Sequence, residues 1–170
     1  MKYFLTIPAL ILLATIFTGC PYESNVALDN SPKVKINGNL LGDWYLSTSE
    51  TSKMMVEKIN DFEYTITKLT ADSSKVFKVD SRYKAFLSDV SGTLFLNAKS
   101  FQAEGETAMN FLNPNSFYIY KVEVSDKTFS LFPVSDYIKE KFDSEDNFRK
   151  FVEKYKDLSF FYSAEEKYVK

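Results

Sequence analysis

The segment FYIYKVEV at Phe117–Val124 decides the fold of this chain. Successive side chains of a β-strand point to opposite faces, so one face carries Tyr118, Tyr120, Val122 and Val124. The other face begins with Phe117 and Ile119 and becomes charged at Lys121. A strand that is apolar on both faces at one end must be covered on both sides there. The sequence therefore predicts a core on one face of a sheet and a covering layer on the other.

Similar runs of aromatic and β-branched residues begin near residue 40 and are separated by polar turns about every eight to twelve residues, as in antiparallel all-β domains. Two of these turns are Asn60-Asp61 and Ser91-Gly92, and glycine tolerates the positive φ that tight turns need. The predicted strands span 40–47, 53–59, 62–69, 75–88, 93–101, 117–124, 128–134 and 158–168. The predicted fold class is mainly β, with one antiparallel domain.

A helical region lies between the last two predicted strands. Ser144 is a suitable N-cap with acidic residues in the turn after it. An apolar stripe at helical spacing follows, formed by Phe148, Phe151, Val152 and Tyr155. A shorter helix is predicted to begin at Ser135, with Ile138 and Phe142 on one side. These one or two short helices are the expected cover for the outer face of the strand at 117–124.

The composition excludes several functions. The 170 residues carry 21 basic and 23 acidic side chains without a run of like charge, so nucleic-acid binding is not expected. Histidine is absent, which removes the commonest general base and zinc ligand. The single cysteine excludes an internal disulfide and an iron–sulfur cluster. The length fits one domain, and neither a cofactor nor a metal is expected.

The sequence shows no catalytic constellation. Ser81 and Lys84 match a Ser-x-x-Lys motif in letters, but residues three apart in a strand face opposite sides. Nothing sets the separation of the acidic residues near the strands, and solvent-exposed positions are expected for Asp43, Glu57, Asp80, Asp89, Glu165 and Glu166. The protein is therefore predicted not to be an enzyme.

The first nineteen residues have the features of a secretion signal. A lysine at position 2 precedes an apolar stretch over 3–17, which is shorter than the ~20 residues of a membrane-spanning helix. The stretch leads to Thr18-Gly19-Cys20, which resembles the bacterial lipobox. The resemblance implies removal of a signal peptide, 1–19, and acylation of Cys20, which would anchor the chain to a membrane. An uncleaved apolar helix and a plain secretory signal are the alternatives.

Residues 20–37 are polar and contain Pro21 and Pro32. Such a composition predicts a linker between the lipid anchor and a folded domain over 38–170. The predicted location is the cell envelope, on the outer membrane if the cell has one. Which leaflet carries the protein stays open.

Gly42 and Trp44 form a Gly-x-Trp motif at the start of the first main strand. With about eight antiparallel strands and a helix before the last one, the chain resembles the lipocalin-type barrel. The resemblance implies a closed single barrel in which Trp44 packs against one end. In that family an arginine near the chain end stacks on the tryptophan, and here Lys167 is the expected substitute.

The lipocalin-type resemblance also implies a barrel mouth that holds a small apolar ligand. The residues expected to line it are Tyr118, Tyr120, Phe160 and Tyr162. An interior filled by the protein's own aromatic side chains is the alternative. The predicted function is accordingly non-enzymatic ligand binding by a membrane-anchored lipoprotein. A structural or inhibitory module that contacts another envelope protein, through the loop 102–115 or an outer face, is the second hypothesis.

Overall fold

The structure is a computed structural model that describes residues 21–102 and 113–170. Its strands are β1 (Glu23–Ser24), β2 (Gly42–Leu46), β3 (Ser52–Lys58), β4 (Glu63–Ala71), β5 (Phe77–Val90), β6 (Thr93–Ser100), β7 (Phe117–Val124), β8 (Thr128–Pro133) and β9 (Glu166–Val169). A helix, α1 (Glu145–Tyr155), precedes β9, and short 3-10 turns occupy Gly38–Leu40 and Ser159–Phe161.

Strands β2 to β9 close into an eight-stranded antiparallel barrel. Each strand pairs with the next along the chain from β2 to β8, and β9 pairs with both β8 and β2. The ninth strand, β1, lies outside this ring and pairs with Phe117 and Tyr118 of β7. This part of β7 extends beyond β8, which begins its pairing with β7 at Tyr120, so β1 fills an otherwise free edge. The predicted mainly-β barrel is confirmed.

Strand β7 separates two apolar cores, as its alternation predicts. Tyr118, Tyr120 and Val122 point into the barrel, where they pack with the interior residues of the other strands. Ile119 points outward into a second cluster with Phe95, Phe148 and Val152. The interior core and this outer cluster therefore lie on opposite faces of the same strand.

Helix α1 covers the outer face of the barrel wall. The Ser144 hydroxyl accepts a hydrogen bond from the Asn147 amide at 3.4 Å, which confirms the predicted N-cap. The predicted apolar stripe is confirmed as well: Phe148 and Val152 are buried in the outer cluster, and Phe151 and Tyr155 pack against it. The shorter helix expected from Ser135 is wrong. That segment is an irregular turn, because Ser135 pairs with Pro21 across a β-bridge instead of starting a helix.

The predicted linker at 20–37 is wrong, because residues 21–37 pack along the outside of the barrel. We call this segment the N-terminal strap. Its Tyr22 and Leu28 are each at most 2% exposed and belong to the outer cluster. The Leu28 amide donates to the buried Asn97 side chain of β6 at 2.8 Å. Residues 21–37 are therefore part of the folded domain, which does not begin at residue 38.

One end of the barrel is closed by Trp44. Its indole is fully buried, and its Nε1 donates to the Leu40 carbonyl at 2.8 Å. Gly42, two residues before, has a φ of +115°, which a residue with a side chain rarely adopts. The cation over the indole is Lys170, with its Nζ 4.7 Å from the ring centre, and not the predicted Lys167. Lys170 follows directly after β9, so it reaches this closed end of the barrel.

The last strand is shorter than expected. The predicted strand 158–168 contains a 3-10 turn at Ser159–Phe161, and pairing with β8 and β2 is confined to Glu166–Val169. The turn buries Phe161 in the outer cluster. The apolar run at 158–162 thus serves the outer cluster instead of the barrel interior.

Candidate binding site inside the barrel

The structure separates the four residues that the sequence placed around a ligand. Tyr118 and Tyr120 line the interior and are at most 5% exposed. Phe160 is 69% exposed, and Tyr162 packs against the outer cluster. The prediction that Phe160 and Tyr162 line the interior is wrong, because they precede β9 and belong to the 3-10 turn and its exit.

A polar cluster lies inside the barrel at the end opposite Trp44, which we call the open end. The Lys68 ammonium lies 3.2 Å from a carboxylate oxygen of Glu166. The Tyr168 hydroxyl donates to the same oxygen at 2.7 Å. The side chains of Lys68 and Glu166 are about a quarter and a third exposed, which places the pair at the mouth of the barrel. Glu166, expected at the surface, is therefore part of the interior network.

A β-bulge positions Lys68. The β4–β5 pairing shifts register between Lys68 and Leu69, so that Lys68 pairs with Ser81 and Leu69 with Val79. Tyr64 and Ile66 precede Lys68 on the interior face of β4. Bulges bend a strand and redirect side chains beside functional sites. Here the bulge lies at Lys68, the charged residue that follows the apolar Tyr64 and Ile66 on the inward face of β4.

The surroundings of the cluster raise the pKa of three of its groups, Lys68, Tyr120 and Tyr168. Burial opposes the charge of Lys68, but the nearby Tyr168 and Glu166 outweigh it and raise the pKa of its ammonium. Burial, together with Glu166, raises the pKa of the Tyr168 hydroxyl. Burial also raises the pKa of Tyr120, and nearby Tyr83 adds to the effect. The site thus presents one cation, Lys68, and neutral phenols.

One buried hydroxyl group beside this cluster has no hydrogen-bond partner among the described residues. The side chains of Tyr83 and Tyr120 are at most 6% exposed, and both line the cavity at this cluster. Ser100, which pairs with Tyr83 across β5 and β6, has a buried hydroxyl without a partner. Buried polar groups are nearly always hydrogen-bonded to protein or water. A buried hydroxyl of this kind marks a place for water or for the polar atom of a ligand.

Small cavities occupy the interior of the barrel. One lies at the polar cluster and is lined by Met54, Ile66, Lys68, Tyr83, Leu96, Ala98, Tyr120 and Leu131. A second, wholly apolar one lies toward Trp44 and is lined by Leu40, Val56, Tyr64, Ile66, Leu96, Val122 and Phe129. Each has about 10 Å³ of free space, which is room for about one water molecule.

Sequence reasoning missed Lys68, Tyr83, Ser100 and Glu166. Lys68 and Glu166 are 98 residues apart in the chain and meet only when β9 closes the barrel. A weak signal was present at Lys68, which follows Tyr64 and Ile66 at alternating positions and therefore shares their inward face.

Alkaline pH should destabilise the fold through its buried tyrosines. Burial and the nearby Glu140 raise the pKa of Tyr22 from 10.0 to about 12, and burial raises that of Tyr118 from 10.0 to about 12. A raised folded-state pKa favours the neutral phenol, so this contribution is complete below pH ~10 and is lost as pH rises through ~12. Urea unfolding followed by circular dichroism across this range should show the decline.

Variants at buried and exposed tyrosines separate the ionisation of Tyr22 and Tyr118 from other effects of alkaline pH on stability. The double substitution Tyr22→Phe and Tyr118→Phe should make the decline shallower, whereas Tyr137→Phe, at a residue that is 75% exposed, should leave it unchanged. Ionisation of Tyr22 and Tyr118 near pH 10 in the folded protein, seen by tyrosinate absorbance, would contradict the expectation.

Comparison with known proteins gives no relative: no family model, no curated protein and no solved structure matches this sequence. Within residues 21–102 and 113–170, no group of acidic or cysteine side chains is arranged to hold a metal ion. No helix in the same residues has the length and apolar character needed to cross a membrane. Thr18, Gly19 and Cys20, the predicted lipobox, lie outside the described residues.

Proposed function

We propose that the protein is a lipoprotein of the bacterial cell envelope, anchored to a membrane through acylated Cys20, whose barrel binds a small amphipathic ligand. The ligand has an apolar body and one polar group that accepts hydrogen bonds. The observations that carry the binding proposal are the buried Ser100 hydroxyl, which has no partner among the described residues, and the cavity that Lys68, Tyr83 and Tyr120 line beside it. The proposed anchor is supported by Thr18-Gly19-Cys20 at the end of an apolar stretch.

The arrangement of polar and apolar walls sets the orientation of such a ligand. The polar cavity at the open end adjoins the apolar cavity toward Trp44, since Ile66 and Leu96 line both. A ligand would place its polar group on the tyrosines and its apolar part toward Val56 and Phe129. Because the free space is small, the ligand must displace the flexible side chains of Met54 or Lys68. Short or slender molecules fit this description better than bulky ones.

Titration of the purified lipoprotein with octanoate and decanoate by isothermal calorimetry tests the binding proposal. We expect saturable binding to the wild type. The double variant Tyr83→Phe and Tyr120→Phe keeps the shape of the cavity and removes two hydroxyls. Two hydrogen bonds of about 0.5–1.5 kcal/mol each correspond to a loss of affinity of about 5- to 150-fold.

The control for this experiment is Tyr22→Phe, which removes a hydroxyl from the outer cluster and should leave the affinity unchanged. Absence of heat for both fatty acids with the wild type, or equal affinity of the double variant, would show that the hydroxyls do not form a ligand site. Mass spectrometry of the native protein, with a search for a co-purifying lipid, provides an independent result.

A further inference from the structure

The rim at the open end carries the two most exposed aromatic side chains of the described chain. Tyr137 is 75% exposed and Phe160 is 69% exposed. The Ser135 amide donates to the Phe161 carbonyl at 3.0 Å. Tyr137 follows Ser135 by two residues and Phe160 directly precedes Phe161, so this hydrogen bond brings the two segments together. Large apolar groups placed together at the surface of a protein mark an interaction site.

The N-terminal strap joins the barrel at this same rim. Pro21 forms a β-bridge with Ser135, and the Tyr22 amide donates to the Val134 carbonyl at 2.9 Å. Tyr22 is 2% exposed, so the chain is held firmly from its first described residues. Cys20 is bonded to Pro21, and consecutive Cα atoms are about 3.8 Å apart. An acyl group on Cys20 would therefore be attached one residue from the rim.

The topology places this rim at the mouth of the candidate site. Strand β8 ends at Pro133, immediately before Val134 and Ser135, and β7 begins at Phe117 on the same end of the barrel. Tyr118, the first inward-facing residue of β7, pairs with Glu23 of the strap. Trp44 and the 3-10 turn at Gly38–Leu40 close the opposite end.

We infer that the open end of the barrel lies against the lipid surface, with Tyr137 and Phe160 in the headgroup region. The inference rests on the proposed acylation of Cys20. Aromatic side chains favour the membrane interface, where their rings contact the acyl boundary and polar atoms stay hydrated. A ligand of the barrel would then enter from the membrane side.

Charge has little part in this contact. The rim segment carries Lys139 and Lys141 together with Asp136 and Glu140, so both signs are represented. Attraction to anionic lipids requires clustered positive charge. The orientation should therefore persist in vesicles without anionic lipid and at raised salt, because the anchor and the two aromatic rings determine it.

Fluorescent labels on the full lipidated protein test this orientation. Single thiols are introduced by Tyr137→Cys and Phe160→Cys, and by Lys127→Cys at the exposed turn near Trp44 as the control. The proteins are reconstituted in vesicles of phosphatidylethanolamine and phosphatidylglycerol. Labels at 137 and 160 should be quenched by headgroup nitroxide lipids and shielded from iodide, whereas a label at 127 should show the reverse. Equal exposure of all three labels to iodide would overturn the inference.

A second variant separates the aromatic rings from the anchor. A label at Lys139→Cys reports on the rim while Tyr137 and Phe160 are both replaced by serine, and it should lose most of its quenching by nitroxide lipids. Unchanged quenching would show that the rings do not hold the rim to the lipid. Because both residues are largely exposed, these substitutions should leave the thermal unfolding of the protein unchanged.

Intact mass of the same preparation distinguishes the two proposals. An unmodified Cys20 would overturn the lipoprotein proposal and the orientation with it. Acylated Cys20 with unquenched labels at 137 and 160 would overturn the orientation alone. Labels that are open to water in vesicles but shielded in intact cells would assign the rim to a protein partner, which also overturns it.

Discussion

Replacement of Trp44 by alanine should lower the free energy of unfolding by about 3–5 kcal/mol, the usual range for removing a large buried aromatic side chain. The indole is fully buried and meets Phe129 edge to face with ring centres 5.3 Å apart. The substitution also leaves the Leu40 carbonyl without the donor that it now has at 2.8 Å. Urea unfolding followed by far-ultraviolet circular dichroism measures the loss, since the variant has no tryptophan to report by fluorescence.

The control for this prediction is Tyr137→Ala, which truncates an aromatic residue that is 75% exposed. Its unfolding free energy should stay within about 0.5 kcal/mol of the wild type. A loss below about 1 kcal/mol for Trp44→Ala would mean that the closed end is not held by the indole, because such a value is usual for a surface position.

Replacement of Phe148 by alanine should lower the free energy of unfolding by a similar amount, about 3–5 kcal/mol. Phe148 is fully buried in the outer cluster, with its ring centre 4.9 Å from that of Phe142 and 5.8 Å from that of Tyr22. Removal of the Phe148 ring should destabilise helix α1 and the strap more than the strands of the barrel. Hydrogen exchange of the Leu28 amide, which donates to Asn97, should therefore accelerate more than that of the strand amides.

Two comparisons check the assignment of Phe148 to a separate core. Lys150→Ala, on the exposed side of the same helix, should change the unfolding free energy little. The effects of Phe148→Ala and Trp44→Ala should add in the double variant, because the two side chains belong to different clusters and share no ring contact. A large deviation from additivity would show that the two side chains are energetically coupled and do not belong to independent cores.

The barrel could be predicted because its signal is local. The alternation at 117–124 gave both faces of β7, and the stripe that begins at Phe148 gave the helix and the side it buries. The strap could not be predicted in this way. Tyr22 and Leu28 are single apolar residues in a polar stretch, without a period that would indicate burial. They are buried because they pack against the apolar outer face of the barrel, which forms only in the folded protein.

The candidate site was predicted in part, since only Tyr118 and Tyr120 of the four expected lining residues face the interior. The apolar run at 158–162 has the composition of a strand, but Phe161 is drawn into the outer cluster by a 3-10 turn. Glu166 has the composition of a surface residue. Its pairing with Lys68 depends on tertiary closure, which no local pattern encodes.

The four-residue β9 has a consequence for the kinetics of folding. It pairs Val169 with Tyr45 at one edge and with Thr128 at the other, so the ring closes only when β9 joins the strands that precede it. Pairings between residues so distant in sequence form slowly, since the entropy of a long loop must be overcome first. A chain in which β9 has not yet joined therefore remains an open sheet, and its unpaired edges at β2 and β8 are then most susceptible to aggregation or to a chaperone.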